Sequence, residues 1–110
     1  MFNDFNQLRC FITLAEELHF GRAAARLYMT QPPLSRQIRL LEESLGVRLF
    51  ERNSRMVRLT EAGAAFLLAA RQMLTMAELS VDTARRIHKG SAGRVALGFT
   101  AVSGYWLIPE

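Results

Sequence analysis

Eight arginines fall between Arg22 and Arg58, against three glutamates, Glu42, Glu43 and Glu51. Thirteen of the fourteen basic residues in the chain are arginine, and Lys89 is the one lysine. A guanidinium is planar and always charged, and its donors form a fork that matches phosphate oxygens and guanine edges. The chemistry open to these residues is recognition of a polyanion, with nucleic acid first. The net charge of +4 is moderate, and a basic stretch is often only a solvated face. The elements that carry the arginines have to decide between the two.

Enzyme chemistry finds no support. His19 and His88 stand alone, with no cysteine or carboxylate spaced as a metal partner. Glu16-Glu17 and Glu42-Glu43 are adjacent on helices, so their side chains diverge by about 100° and meet water. There is no phosphate-binding glycine loop and no nucleophile elbow. No catalytic residue, metal or cofactor is expected. Cys10 is the single cysteine; it excludes an internal disulfide, suits a reducing cytoplasm and reads as a buried helix residue. No apolar run approaches the roughly 18 residues of a membrane span, and MFNDFNQLRC lacks the order of a secretion signal. The expectation is a cytoplasmic protein with no membrane partner.

Half of the 110 residues are hydrophobic, enough to build a core. Phe5, Leu8, Ile12, Ala15 and Leu18 make one stripe of a first helix. His19-Phe20-Gly21 interrupts the pattern. A short second helix from Arg22 to Tyr28 packs through Ala23, Ala24 and Leu27. Thr30 is then placed to cap a third helix, with Pro32 and Pro33 in its first turn and Gly46 at its end. Leu34, Ile38, Leu41 and Leu45 form the inner face of that helix. Pro32, Ser35, Arg36 and Arg39 lie on the other side, with Glu42 and Glu43 toward the negative end. The outer face is therefore cationic at its start and acidic beyond.

VRLFERNSRMVRLT alternates Val47/Leu49 and Val57/Leu59 against arginines, which predicts two short strands around an Asn53-Ser54 turn. Arg52 and Arg55 flank that turn. Thr60 opens a helix that continues to Lys89, with Gly90 as its stop. Phe66, Ala69, Met73, Met76, Ala77, Ser80 and Ala84 recur along it near every 3.5 residues. Such a stripe calls for a second copy of the chain as partner, or alternatively for a domain C-terminal to it. Ser91-Ala92-Gly93 reads as a linker, Arg94 to Phe99 as a strand, and Tyr105 to Glu110 as a possible helix start. The fold class is mainly α: three helices and a two-stranded wing, followed by a long linker helix.

The pair formed by Phe20–Tyr28 and Thr30–Leu45 has the form of a helix-turn-helix, whose second helix reads base edges through its N-terminal residues. A winged helix used for protein contact would favour an acidic or apolar third-helix face, and the arginines argue against it. Leu8-x-x-Phe11, AEELHFGRAAARL, TQPPLSRQIRLLEESLGVRLFER and RLTEAG together resemble the N-terminal signature of the LysR-type transcription regulators of bacteria. The likeness runs almost continuously over residues 8 to 63, and the QPPLSRQI and LTEAG blocks with their spacing are specific. The departure is His19, where the family has serine before the phenylalanine.

The resemblance implies a winged helix-turn-helix domain over residues 3–60, with the helix-turn-helix at about 20–39. A linker and dimerisation helix at 61–89, a hinge at 90–93 and the truncated start of an effector-binding domain at 94–110 would follow. By position, Gln31, Pro32, Pro33, Ser35 and Arg36 would face the major groove, with Thr30 and Arg39 at its edge. Phe20 would also be among the DNA-binding residues, and Arg52 and Arg55 would belong to the wing. Double-stranded DNA carrying an interrupted dyad is the implied partner. Homodimerisation would run through the stripe from Phe66 to Ala84, and the full-length protein would be a tetramer. A small-molecule effector would bind the C-terminal domain, where Thr100 and Ser103 would lie near the cleft.

Overall fold

A computed structural model describes residues 4–89 of the chain. The expected hinge at 90–93 and the expected domain start at 94–110, with Thr100 and Ser103, lie outside the described residues. The element order is α1 (Phe5–Glu17), α2 (Phe20–Arg26), α3 (Gln31–Leu45), β1 (Phe50–Arg52), β2 (Val57–Leu59) and α4 (Glu61–His88).

Asp4 starts α1, its carboxylate accepting the Asn6 N–H at 2.9 Å. Leu8, Phe11, Ile12, Leu14 and Ala15 of α1 are buried. Phe5 and Leu18, placed by the sequence at the ends of this stripe, are exposed instead. Leu18 has φ 51°, so the chain turns out of the helix there and takes the side chain off the stripe.

The second helix begins two residues earlier than the sequence suggested and ends at Arg26. The cause is His19, whose Nδ1 accepts the Arg22 N–H at 2.9 Å. A histidine does there what serine or asparagine does at most helix starts. Tyr28 closes the turn in a left-handed conformation, φ 56°.

Pro32 and Pro33 occupy the first turn of α3 as expected. Thr30 holds the N-cap position, but its side chain makes no cap hydrogen bond, contrary to expectation. The prolines remove donors from that turn, so the helix starts without it. Gly46 ends α3 at φ 75°, the left-handed cap that glycine takes at least cost.

The wing is an antiparallel pair, with Phe50 opposite Leu59 and Arg52 opposite Val57. Its first strand starts at Phe50, three residues after Val47, which is exposed. Asn53 builds the tip, its side chain accepting the N–H groups of Arg55 and Met56 at 2.7 and 3.0 Å.

Leu34, Ile38 and Leu41 of α3 meet Leu8, Phe11 and Leu14 of α1, Ala23 and Ala24 of α2, and Phe50 of the wing in one core. Phe11 lies at its centre, with ring centroids 5.5 Å from Phe50 and 5.3 Å from Phe66. A fully buried Phe contributes about 1.5–3 kcal/mol through desolvation. Tilted aromatic pairs at this separation add about 0.5–1.5 kcal/mol.

Thr60 turns the wing into α4: its hydroxyl donates to the Arg48 carbonyl at 2.7 Å and accepts the Gly63 N–H at 2.9 Å. The helix has 28 residues, roughly 40 Å of length. The chain divides into two units after Leu74. In the first, Phe66, Leu67, Ala70, Met73 and Leu74 pack on the core. That corrects the reading of Phe66 and Met73 as side chains without a partner in their own chain. In the second, Met76, Leu79, Val81 and Ile87 are about half exposed, and the Ser80 hydroxyl donates to the Met76 carbonyl.

By length and composition α4 could cross a membrane, although the sequence shows no unbroken apolar run. Its ion pair from Arg71 to Glu16 at 3.0 Å and the packing of Phe66, Leu67, Ala70, Met73 and Leu74 tie its first half to the core, while 6% of the apolar window is buried.

Candidate nucleic-acid interface

The arginines of the helix-turn-helix and wing sort into two groups by their partners. Arg22 pairs with Glu17 at 3.3 Å, Arg26 with Glu16 at 2.9 Å, Arg52 with Glu42 at 3.1 Å and Arg58 with Glu51 at 3.5 Å. Among the described residues, Arg36, Arg39, Arg48 and Arg55 make no ion pair and are exposed. Two of these four stand on the outer face of α3, Arg55 stands at the wing tip, and Arg48 precedes the wing and donates to the Phe50 carbonyl. Arg36, Arg39 and Arg55 are positions the sequence named for contact; Arg48 is not.

Around them, Thr30, Gln31 and Pro32 are exposed at the start of α3, and Pro33 and Ser35 are half-buried. This end of the helix carries its unpaired N–H groups and positive dipole, both suited to an anion.

Arg52 and Phe20 sit differently. The Arg52 guanidinium reaches Glu42 Oε1 and lies 6.0 Å from the centre of the Phe20 ring. Phe20 itself packs against the core. Glu42, read from sequence as part of an outward acidic end, is buried. One carboxylate oxygen accepts the Leu49 and Phe50 N–H groups at 2.8 and 3.2 Å. Burial pushes the Glu42 carboxyl up, but the Arg52 pair and the two backbone N–H groups outweigh it and hold it below the usual range. Arg52 thereby joins the wing to α3.

A second ion-pair cluster ties α1 to α2 and α4. Glu16 accepts from both Arg26 and Arg71, and these hydrogen bonds lower its carboxyl. Cys10 is buried, as the sequence suggested, and burial, with the Asp4 charge beside it, raises its thiol. A thiol held protonated in the core is a poor nucleophile.

The sequence missed three positioning residues: His19 as a cap, Glu42 as a buried clamp and Gly63 as a contact. A Cβ on Gly63 would overlap the Leu49 carbonyl oxygen, so the start of α4 lies directly on the strand entry. The glycine of RLTEAG was the available signal.

Between the starts of α2 and α3 and the wing runs an open groove of about 350 Å³, bordered by His19, Gly21, Gln31, Ser54 and Arg55.

Residues 5–64 match the family model described as the bacterial regulatory helix-turn-helix protein, lysR family. The chain is 51% identical over 98 residues to the uncharacterized HTH-type transcriptional regulator YnfL of Escherichia coli, covering 89% of this chain and 33% of that protein. It is 48% identical over 106 residues to the HTH-type transcriptional regulator TfdS of Cupriavidus pinatubonensis, covering 96% and 36%. Among solved structures it resembles the CbnR_DBD–DNA complex with a TM-score of 0.75 and 45% identity, over 78% of this chain and 99% of that one. The chain spans about a third of the length of these curated relatives.

Proposed function

The chain belongs to the LysR family of bacterial regulatory helix-turn-helix proteins, and from that premise we propose that it binds double-stranded DNA sequence-specifically as part of a cytoplasmic transcription regulator. The observation that carries this reading is the partition of the arginines. Arg22, Arg26, Arg52 and Arg58 are matched by carboxylates, while Arg36 and Arg39 on α3, Arg48 before the wing and Arg55 at its tip are exposed without an ion pair among the described residues. Similarity to a DNA-binding domain seen in complex with DNA supports it.

Gln31, Pro32, Pro33, Ser35 and Arg36 enter the major groove in this reading. Thr30 and Arg39 meet its edge, and Arg55 reaches a flanking phosphate. Arg52 and Phe20 act through position, holding the wing against α3. Two copies pair through α4, where Met76, Leu79, Val81 and Ile87 leave apolar surface in water. Each such side chain gains roughly 25 cal/mol per Å² when a partner covers it. Paired domains present two recognition helices to an interrupted dyad, and the full-length protein assembles further into a tetramer under a small-molecule effector. No catalytic step is part of this function.

The test is a salt titration of binding to a duplex of random sequence. Neutralising phosphates releases counterions, so affinity should fall steeply with salt, with a slope near −0.9 for each phosphate neutralised. A flat response would point to a protein partner.

A further inference from the structure

Three arginines outside the proposed contact surface share two acids. Arg22 and Arg26 belong to α2 and Arg71 to α4, while Glu16 and Glu17 are the last two residues of α1. Arg22 Nε lies 3.3 Å from Glu17 Oε1, and its Nη2 also donates to the Glu17 carbonyl at 3.3 Å. Arg26 Nη1 donates to Glu16 Oε1 at 2.9 Å and to Glu17 Oε2 at 3.2 Å. Arg71 Nη2 donates to Glu16 Oε2 at 3.0 Å. Every carboxylate oxygen of the pair therefore holds a guanidinium.

The acids lie beneath the cations: the Glu17 side chain is 26% exposed and that of Arg22 62%. Exposed ion pairs contribute little to folding. The three helices that these pairs join already share the core through Leu14, Ala23, Ala24 and Ala70. What the pairs do change is charge. α2 is the first helix of the helix-turn-helix, which crosses the DNA backbone in that motif. A bare guanidinium on it would pair with any phosphate in reach. Such pairing follows no sequence and supplies essentially all of non-specific binding. A guanidinium that must leave a carboxylate to take a phosphate gains little by the exchange.

We propose that Glu16 and Glu17 set sequence discrimination by masking: they keep the cations of the α2 flank off the DNA backbone and leave charge contact to the surface around α3 and the wing. This rests on the DNA-binding reading above and names what limits unspecific contact within it. Discrimination is a difference between two affinities, and it grows when the unwanted one is held down.

Glu17→Gln uncovers Arg22 alone, because Arg26 keeps Glu16. With the full chain and fluorescent duplexes of random sequence, this variant should bind more tightly at low salt. Its salt slope should steepen by about one per protomer, the mark of one more phosphate neutralised. On a site selected from a random duplex library the gain should be smaller, because the contacts of α3 fix how the domain lies there. The ratio of selected-site to random affinity should therefore fall, with the melting temperature unchanged. Adding Arg22→Gln to Glu17→Gln should return the slope and the ratio to their original values. Glu61→Gln is the control for net charge. Glu61 is exposed and makes no ion pair among the described residues, so its loss uncovers no guanidinium and should leave the slope as it was. An unchanged slope and ratio for Glu17→Gln overturn the proposal, as does equal steepening by Glu61→Gln. So does weaker binding that tracks a lower melting temperature, which would make Glu17 a support of the fold alone. Failure of the unmutated chain to bind any duplex is a different result and defeats the DNA-binding reading itself.

Discussion

The Glu42 carboxylate lies 3.1 Å from the Arg52 guanidinium, and it also accepts the N–H groups of Leu49 and Phe50. One buried acid therefore fixes both the entry to the wing and its basic side chain. Glu42→Gln keeps an acceptor for the backbone but loses the charge, and should cost about 1–3 kcal/mol at neutral pH. The folded-state pKa of Glu42 is lowered, so its contribution is full above the ordinary carboxylate pKa. It is lost as pH falls below that value through the lowered one. Thermal melts of the two proteins should thus converge on acidification. A gap that persists in acid would assign the effect to packing.

Gly63 makes a comparable joint at the same strand entry. Gly63→Ala would gain helix propensity on an open helix. Here the added methyl meets the Leu49 carbonyl, a backbone group that cannot swing aside. The substitution should destabilise by about 1–3 kcal/mol, read as a lower urea midpoint with an unchanged slope. Neutral or raised stability would mean that α4 starts farther from the strand.

What the sequence made legible follows from what periodicity records. The faces of α3 and the positions of Gly46 and the Asn53 turn come from local spacing and backbone preference, and they stand in the structure. Cap side chains are not periodic, so His19 was read as an interruption of the helix it starts. Glu42 was misread because a charged residue beside Glu43 is ordinarily solvated. Its burial depends on Leu49, Phe50 and Arg52, seven to ten residues away. Phe66 and Met73 share a stripe with outward residues, and spacing alone cannot tell which part of a wide apolar stripe meets the chain's own core.

The same distinction separates Arg36 from the paired arginines. Arg36 is exposed on the first turns of α3 without an ion pair among the described residues. Arg36→Ala should cost about 1–3 kcal/mol on a site selected from a random duplex library, and much less on random DNA. Equal losses on both would make it a phosphate anchor.

Arg55 and Arg52 should behave differently although both belong to the wing. Arg55→Ala should weaken binding to all sequences and lower the salt slope by about one per protomer, with the melting temperature unchanged. Arg52→Ala removes the partner of a buried carboxylate and should lower the melting temperature instead. An unchanged slope for Arg55→Ala in anisotropy titrations would take the wing tip off the contact surface.

Pairing through α4 is best tested away from the side chains that serve the domain. Met73 packs on the core of its own chain, so Met73→Glu would disturb folding and association together. Leu79 is 48% exposed, and Met76 is 46% exposed. At three residues apart the two neighbour each other on the helix surface. Leu79→Glu brings one charge from each chain close to the seam and takes no packing from the core. In sedimentation at micromolar concentration the unmutated chain should run as a dimer and Leu79→Glu as a monomer, with equal melting of the winged domain. DNA affinity should fall sharply, because two half-sites held at a fixed spacing bind as a unit only while the helices stay joined. An unmutated chain that sediments as a monomer would free Met76 and Leu79 from this role and assign their apolar surface to another partner.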